Sequence, residues 1–269
     1  MRRLSETINL MGPSDLVGTA IEIAPVVSVR RASGALMHRK ASNVPGNNGC
    51  VARLALFDLD NTLLDREAAF AVWARGFMEA NGLPLDTWSI IESTDEDGFK
   101  PRDLFFSEIR MKLEISTSAQ ELLDRYRVDY PACYSVDDET VRAIRNLRAN
   151  DWKVGVVTNG PPTQWAKFEA TKLEHEFDAI CISALVGSRK PSIEIFQEAA
   201  RICDVPLEGW MVGDSANADI AGGRKAGLRT IWIARGRVWD VPEYEPDAVA
   251  TTVAEAVDVI LALASGTRS

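Results

Sequence analysis

Two aspartates that could act together follow a short apolar run. The run occupies residues 54–57, and Asp58 and Asp60 come next, with one residue between them. Continuous apolar residues are typical of a strand buried on both faces of a parallel sheet, and alternate side chains of extended backbone point the same way. Both carboxylates can therefore face one spot, where their mutual repulsion indicates a bound cation or a shared proton. An ordinary Asp-Asn turn is the alternative interpretation.

Polar groups also stand at three later junctions between a predicted strand and a predicted helix. The first has a hydroxyl, a turn glycine and two prolines suited to a helix's first turn, an arrangement that aims backbone N–H groups at an anion. The second places a lysine before the helical stretch 193–203, and the third has two carboxylates five residues apart. A helix cap or a solvated charge would explain each junction taken alone. The residues concerned are Thr158-Asn159-Gly160, Lys190, and Asp214 with Asp219.

All four junctions lie at the carboxyl ends of predicted strands, the edge at which open α/β sheets bind their ligands. In order and spacing they resemble the motifs of the haloacid dehalogenase-like (HAD) hydrolase superfamily, which are DxDxT, a Ser or Thr after a strand, a Lys, and GDxxxxD. The matching residues run from Asp58 to Thr62, then Thr158, Lys190, and from Asp214 to Asp219. The resemblance spans about residue 51 to the C-terminus. It implies an α/β fold, a Rossmann-like doubly wound parallel sheet with an inserted α-helical cap.

Strand and helix patterns alternate through the second half of the chain. Such alternation predicts a parallel sheet that is covered by helices on both faces. The predicted strands are residues 152–158, 179–183, 210–212 and 230–234.

The pattern divides the chain into three parts. From residue 66 to residue 135 it is helical, with Phe70, Trp73 and Phe77 at helical spacing and core packing as their expected role. We assign this stretch to the cap, and residues 51–65 and 136–269 to the α/β core.

Residues 1–50 differ in composition from the rest of the chain. They hold six basic and three acidic residues, a net charge of +3, whereas the whole chain carries −9. The stretch 41–49 is rich in Asn, Gly, Ser and Pro, as in a flexible linker. We predict a disordered N-terminal extension or an over-long start, with Met37 as the true start. An organelle-targeting peptide is the alternative.

Composition excludes several classes of partner. The net charge of −9 argues against a nucleic-acid-binding surface, and no apolar run is long enough to cross a bilayer. The four cysteines are scattered without CxxC spacing, and no secretory signal is present, so we predict a cytoplasmic protein with reduced thiols. Cys181 and Cys203 are expected to be small core residues. The oligomeric state is not determined by these patterns.

The resemblance implies a role for each motif residue. Asp58 corresponds to the nucleophile, and Asp60 to the general acid and base. Mg²⁺, which prefers oxygen ligands, would be held by Asp58, Asp214 and the backbone carbonyl of Asp60. Asp219 would position Lys190 or metal-bound water. The groups implied to hold the phosphate oxygens are Thr158, the amides of Asn159 and Gly160, and Lys190.

These roles describe a Mg²⁺-dependent phosphatase that hydrolyses a small phosphorylated metabolite through an aspartyl-phosphate. A phosphomutase uses the same constellation and remains an alternative. A metal-independent 2-haloacid dehalogenase is another, although such enzymes typically lack the second aspartate. A non-enzymatic binding protein would be expected to have lost a motif residue, and none is lost. Arg66, Lys100 and Arg102 are candidate substrate contacts in or near the cap, with solvated surface charges as the alternative that we favour.

Overall fold

The described part of the protein is built around one parallel sheet of six strands. The computed structural model describes residues 53–98 and 100–265. The strands lie in the order β3-β2-β1-β4-β5-β6, and every neighbouring pair is parallel. This confirms the predicted doubly wound α/β fold. The strands are β1 Arg53–Phe57, β2 Trp152–Thr158, β3 Ala179–Ile182, β4 Gly209–Gly213, β5 Arg229–Ile233 and β6 Ala248–Ala250.

The central strand β1 is buried on both faces, as its apolar run predicts. Ala55 and Phe57 pack into the hydrophobic cluster on one side of the sheet, and Leu54 and Leu56 pack into the cluster on the other side. This alternation follows from the two-residue repeat of extended backbone. After β3 the chain returns to the far side of β1, so the strand order reverses between β1 and β4. A crevice opens at such a point, at the carboxyl ends of the strands.

Helices flank the sheet and fill the segment between β1 and β2. The predicted helix at residues 193–203 is confirmed with the same bounds. In the described residues, α1–α4 all lie between β1 and β2. The helices are α1 Arg66–Ala80, α2 Trp88–Asp95, α3 Arg102–Lys112, α4 Ala119–Asp129, α5 Asp138–Ala149, α6 Trp165–Thr171, α7 Ser183–Val186, α8 Ile193–Cys203, α9 Gly222–Lys225 and α10 Val253–Ser265.

Side-chain caps begin several of these helices. Asp65, Ser118 and Asp137 each accept a hydrogen bond from a backbone N–H in the first turn of α1, α4 and α5. Such caps satisfy N–H groups that have no partner within the helix. A π-helical turn, Ala216–Ala221, precedes α9 and is capped in the same way by Ser215.

The aromatic residues between β1 and β2 form a packed cluster, as predicted. Phe70 and Trp73 of α1 are almost fully buried, and their rings contact Phe105 of α3. Trp73 also meets the ring of Tyr126 of α4 edge to face at 4.9 Å between centroids. Edge-to-face pairs of this kind add to the gain from burial alone. The inserted helices therefore share one apolar interior.

Of the remaining predictions about the fold, some are confirmed and others are not tested by the described residues. Cys181 and Cys203 are buried core residues, as predicted. None of the helices in the described part of the chain combines the length and the apolar character that crossing a membrane requires. The predictions for residues 1–50 lie outside the described residues. The division into a core and a cap at residues 66–135 stays a prediction.

Candidate active site

Asp58 stands where β1 ends. Its backbone N–H donates to the carbonyl of Val212 at 2.9 Å, which extends the β1–β4 pairing to the first motif residue. The chain then turns sharply: Asn61 has a left-handed φ of 61°, and the N–H groups of Leu63 and Leu64 both donate to the carbonyl of Leu59. This turn keeps the residues after the strand at the sheet edge.

Lys190 lies between two carboxylates from different strand ends. Its ammonium nitrogen contacts Asp58 Oδ1 and lies 2.7 Å from Asp219 Oδ1, and all three side chains are buried. Burial alone would lower the pKa of Lys190, but the charges of Asp219 and Asp58 outweigh it and raise that pKa. Burial raises the pKa of Asp58 to about 7, despite the opposing charge of Lys190. A permanent cation thus lies beside the candidate nucleophile.

Asn159 holds the backbone of Lys190. Its side-chain oxygen accepts from the Lys190 N–H at 2.9 Å, and its side-chain nitrogen donates to the Lys190 carbonyl at 2.9 Å. The sequence predicts only a backbone contact between Asn159 and phosphate, and that role stays a prediction. In the structure, its side chain fixes the position from which Lys190 reaches Asp58.

Thr158 and Gly160 lie in the loop that follows β2. The Thr158 hydroxyl oxygen is buried and lies 3.2 Å from the side-chain nitrogen of Gln164. The N–H of Gly160 donates to the hydroxyl of Ser183 at 3.0 Å, so this predicted phosphate donor already has a partner. A Cβ on Gly160 would lie 2.5 Å from Cγ of Gln164, which explains why this position is a glycine.

Asp214 brings a third carboxylate to the site from the end of β4. Oxygens of Asp58, Asp214 and Asp219 all lie within 4.8 Å of one another. Burial and the nearby charge of Asp58 raise the pKa of Asp214 to about 6. Clustered carboxylate oxygens without His or Cys suit a hard cation such as Mg²⁺. Asp58 and Asp214 therefore fit the predicted metal role, to which Asp60 would add its backbone carbonyl.

Asp219 is tied back to the loop that carries Asp214. Its Oδ2 accepts a hydrogen bond from the N–H of Ser215 at 2.9 Å, while its Oδ1 faces Lys190. A Cβ on Gly213 would come within 2.3 Å of the Asp219 carboxylate, so the glycine of this motif is required for close approach. Asp219 thus contacts Lys190 directly, and its role in positioning Lys190 or metal-bound water stays a prediction.

Asp60 has a set of neighbours that the sequence motifs do not indicate. Both of its oxygens lie 2.7 Å from the ammonium nitrogen of Lys167, and Oδ2 accepts from Gln164 at 2.9 Å. The hydroxyl of Tyr134 lies 3.3 Å from Oδ1. Burial alone would raise the pKa of Asp60, but Lys167 and Gln164 together lower it. The two carboxylates of the first motif therefore differ in environment.

Comparison with known proteins places this site in a family. The model of the haloacid dehalogenase-like hydrolases matches residues 52–227, which include every motif residue described above. The chain belongs to the haloacid dehalogenase-like hydrolase family. The predicted resemblance is therefore confirmed, and the chain is an enzyme of the hydrolase class.

Proteins similar to this HAD-like hydrolase have names that state different activities. It is 27% identical to glyceraldehyde 3-phosphate phosphatase of Pyrococcus furiosus over 77% of this chain and 92% of that protein. Its sequence is 28% identical to that of the HAD-hydrolase YfnB of Bacillus subtilis, whose structure was determined with bound magnesium. The two structures match with a TM-score of 0.65, and the match covers 78% of this chain and 99% of YfnB. This chain is 25% identical to 2-haloacid dehalogenase of Pseudomonas syringae, with a TM-score of 0.55 over 79% and 99%.

The three basic residues singled out near the cap of this HAD-like hydrolase are held in ion pairs. Arg66 and Arg102 each contact one oxygen of the buried Asp95 at 2.6 Å. Lys100 pairs with Glu96 and Glu108. The expectation of freely solvated charges is therefore wrong, because acidic partners on the same group of helices engage them. A role in substrate binding stays a prediction.

Part of the network around Asp60 had a signal in the sequence. Gln164 and Lys167 are three residues apart, directly after the Thr158 loop, so a helix beginning there places both on one face. Tyr134 had no such signal, because it lies 74 residues from Asp60 in the chain.

Proposed function

We propose that this enzyme is a Mg²⁺-dependent phosphatase that hydrolyses a small phosphomonoester metabolite through an aspartyl-phosphate. The observation that carries the proposal is the convergence of Asp58 with Lys190 and Asp214, beside a second carboxylate, Asp60, in a separate hydrogen-bonding environment. A nucleophile, a cation and a proton-transfer group are the parts that this chemistry requires. Names of relatives support it, since glyceraldehyde 3-phosphate phosphatase is among them.

In the first step, a carboxylate oxygen of Asp58 attacks the phosphorus of the substrate. The bond from phosphorus to the leaving oxygen breaks, and that oxygen takes a proton from Asp60. Lys190 lies against Asp58, where its charge would stabilise the negative charge on the transferring phosphoryl group. The hydroxyl of Thr158 would donate to another phosphate oxygen.

In the second step, Asp60 accepts a proton from a water molecule as its oxygen attacks the phosphorus. The Asp58–phosphorus bond then breaks, which releases inorganic phosphate and restores the carboxylate. Asp60 is a carboxylate at this stage because it gave its proton to the leaving oxygen in the first step, and Lys167 and Gln164, which lower its pKa, favour this ionised form. Asp60 thus acts as an acid in one step and as a base in the other.

The residues that would hold Mg²⁺ are Asp58, Asp214 and the backbone carbonyl of Asp60. When bound, the cation offsets the repulsion between the phosphate and Asp58. Support for this ion comes from the three clustered carboxylates and from the magnesium-bound structure of YfnB. Arg237, which donates to the Asp214 carboxylate at 3.2 Å, is a further neighbour of this group.

One assay panel separates this function from its alternatives. The purified enzyme is incubated with p-nitrophenyl phosphate, sugar phosphates, nucleotides, phosphoglycolate and 2-haloacids, with Mg²⁺ or with EDTA. We expect phosphate release that requires Mg²⁺ and stops with the chelator. Undiminished turnover in EDTA, or chloride release from a haloacid, would favour the dehalogenase. An isomeric sugar phosphate as the product would favour the phosphomutase.

The dehalogenase alternative has structural support in the similarity to the Pseudomonas syringae enzyme. The side chain of Asp60 argues against it, because it is half-buried at the site and held by four hydrogen bonds from Lys167, Gln164 and Tyr134. A group that is fixed in this way is expected to have a function in the reaction, and proton transfer is the role that a phosphatase offers.

A further inference from the structure

The carboxylate of Asp60 is held by side chains from two other parts of the chain. Lys167 of α6 approaches both oxygens at 2.7 Å, and Gln164, just before α6, donates to one of them at 2.9 Å. Tyr134, on the return from the inserted helices to the sheet, lies 3.3 Å from the other oxygen. All three of these residues are at least nine-tenths buried. The rotamer of Asp60 is therefore determined from outside its own loop.

The position of Lys167 is unusual for a lysine. Its side chain is only 11% exposed, and its ammonium nitrogen lies 4.7 Å from the centroid of the Tyr134 ring. Burial of an ammonium group is costly unless a carboxylate compensates it. Asp60 supplies that compensation with both oxygens, so each charge depends on the other for its place in the structure. A surface lysine in a solvated ion pair would have no such effect on the carboxylate.

Gln164 connects Asp60 to the predicted phosphate site. The same amide nitrogen lies 2.9 Å from Asp60 Oδ2 and 3.2 Å from the hydroxyl oxygen of Thr158. An amide nitrogen can only donate, so the Thr158 oxygen accepts this bond and its own hydrogen is directed elsewhere. Thr158 is thereby prepared to donate to an anion, and its position is coupled to that of Asp60.

We propose that Lys167 is a positioning residue, which holds Asp60 where proton transfer occurs, and that Gln164 links this carboxylate to Thr158. The proposal rests on the proposed phosphatase function and on the role of Asp60 in it. Proton transfer requires the donor and acceptor to lie within hydrogen-bond reach, and small displacements of a reacting group cost up to ~10²-fold in rate. Without Lys167, Asp60 can still transfer a proton but loses the contact that places both of its oxygens.

A double-mutant cycle tests whether Lys167 acts through Asp60. The turnover of p-nitrophenyl phosphate is measured with Mg²⁺ for the wild type, K167M, D60N and the double variant. We expect K167M to lower kcat by roughly tenfold or more with KM changed by less than about threefold. In the D60N background, the same substitution should change kcat by less than about twofold, because the carboxylate that Lys167 positions has been replaced by an amide. Equal losses in the two backgrounds would overturn the proposal.

Control variants separate positioning from a loss of structure. K225M removes an exposed lysine of α9 and should leave kcat within about twofold of its parent in both backgrounds. K167R keeps a cationic partner for the carboxylate, so it should recover part of the kcat that K167M loses. If K167M does not fold, K167R takes its place in the cycle, with a kcat loss expected in the wild-type background and absent in D60N.

The proposed function and this proposal fail in different ways. If the wild type releases no phosphate with Mg²⁺, the phosphatase function is wrong. If the wild type is active and D60N is impaired, but K167M is fully active or its effect is independent of Asp60, only the role of Lys167 is wrong.

Discussion

At the scale of single residues, Asp58 and Asp60 are both carboxylates, but their surroundings shift their pKa values in opposite directions. Asp58 lies among Lys190, Asp219 and Asp214, and burial raises its pKa to about 7. Asp60 lies against Lys167 and Gln164, and its pKa is lowered. Two titratable groups whose environments differ in this way are suited to different roles in a reaction. In the proposed reaction Lys190, together with a bound cation, would keep Asp58 ionised, and Asp60 would transfer the protons.

Substitution of the two aspartates separately tests this division of roles. In D58N the attacking oxygen loses its charge, so no phosphoenzyme can form. In D60N the nucleophile remains, but proton delivery and water activation are lost, so kcat should fall by roughly 10²–10⁴-fold. With p-nitrophenyl phosphate, whose leaving group needs little proton assistance, the first step suffers less than the second. D60N should therefore trap phosphate on the peptide that contains Asp58.

Mass spectrometry of the reacted variants gives the measurement. An added phosphate mass is expected in D60N and absent from D58N. An added phosphate mass on the D58N variant, or phosphate on a Ser, Cys or His elsewhere in the chain, would overturn the assignment of the nucleophile.

At the scale of elements, the site depends on close contact between neighbouring parallel strands. Asp58 and Asp214 meet because β1 and β4 are adjacent and in register, with Phe57 opposite Val212. Gly209 begins β4 with a φ of +150° and lies directly against β1. Only glycine adopts such a conformation without strain. The register of these two strands therefore depends on a residue far from the chemistry.

The substitution G209A should destabilise the fold. A Cβ at this position would lie 1.8 Å from the carbonyl oxygen of Leu54, and a strained φ adds to the overlap. We expect the free energy of unfolding to fall by at least about 2 kcal/mol, since strained backbone and overpacking each cost one to three kcal/mol. Urea denaturation followed by circular dichroism measures the change.

G76A provides the matched control. Gly76 is exposed on α1, and a Cβ there meets nothing within 4 Å, so alanine should stabilise the helix by ~1 kcal/mol. An unchanged stability of G209A beside a stabilised G76A would contradict the role assigned to the β1–β4 contact.

At the scale of the whole molecule, the inserted helices and the sheet meet close to the site. Arg235, after β5, pairs with Asp65 at 3.1 Å and with Glu67 at 3.5 Å, where α1 begins. Tyr134 contacts Asp60 at the other crossing between the helices and the sheet. Polar contacts therefore occur at both connections between the inserted helices and the sheet. At the second connection, Tyr134 contacts the candidate acid and base, Asp60, directly.

Removal of residues 1–48 should leave the enzyme nearly unchanged. Every motif residue lies beyond this segment, and the first strand among the described residues begins at Arg53. We expect the midpoint of thermal unfolding and kcat for p-nitrophenyl phosphate to match those of the full chain within error. A truncated protein that loses its cooperative unfolding transition would indicate that the segment packs against the core.

The sequence by itself determined the class of fold and the residues that meet at the sheet edge. Apolar runs identify buried strands, and a ligand site at their carboxyl ends follows from parallel topology. The aspartates that follow β1 and β4, and Thr158 after β2, could therefore be predicted to converge. Lys190 could be added because its motif stands in the same order along the chain.

Only the tertiary structure decided how the two neighbouring aspartates differ. Lys167 lies 107 residues from Asp60, and Tyr134 lies 74 residues from it. Such pairings depend on how α6 and the inserted helices pack against the sheet, and side-chain periodicity reports only which face of an element is buried. The same limit applies to Asn159, whose side chain holds Lys190 across 31 residues of chain. Local pattern identifies the chemical groups, and packing assigns the partner of each.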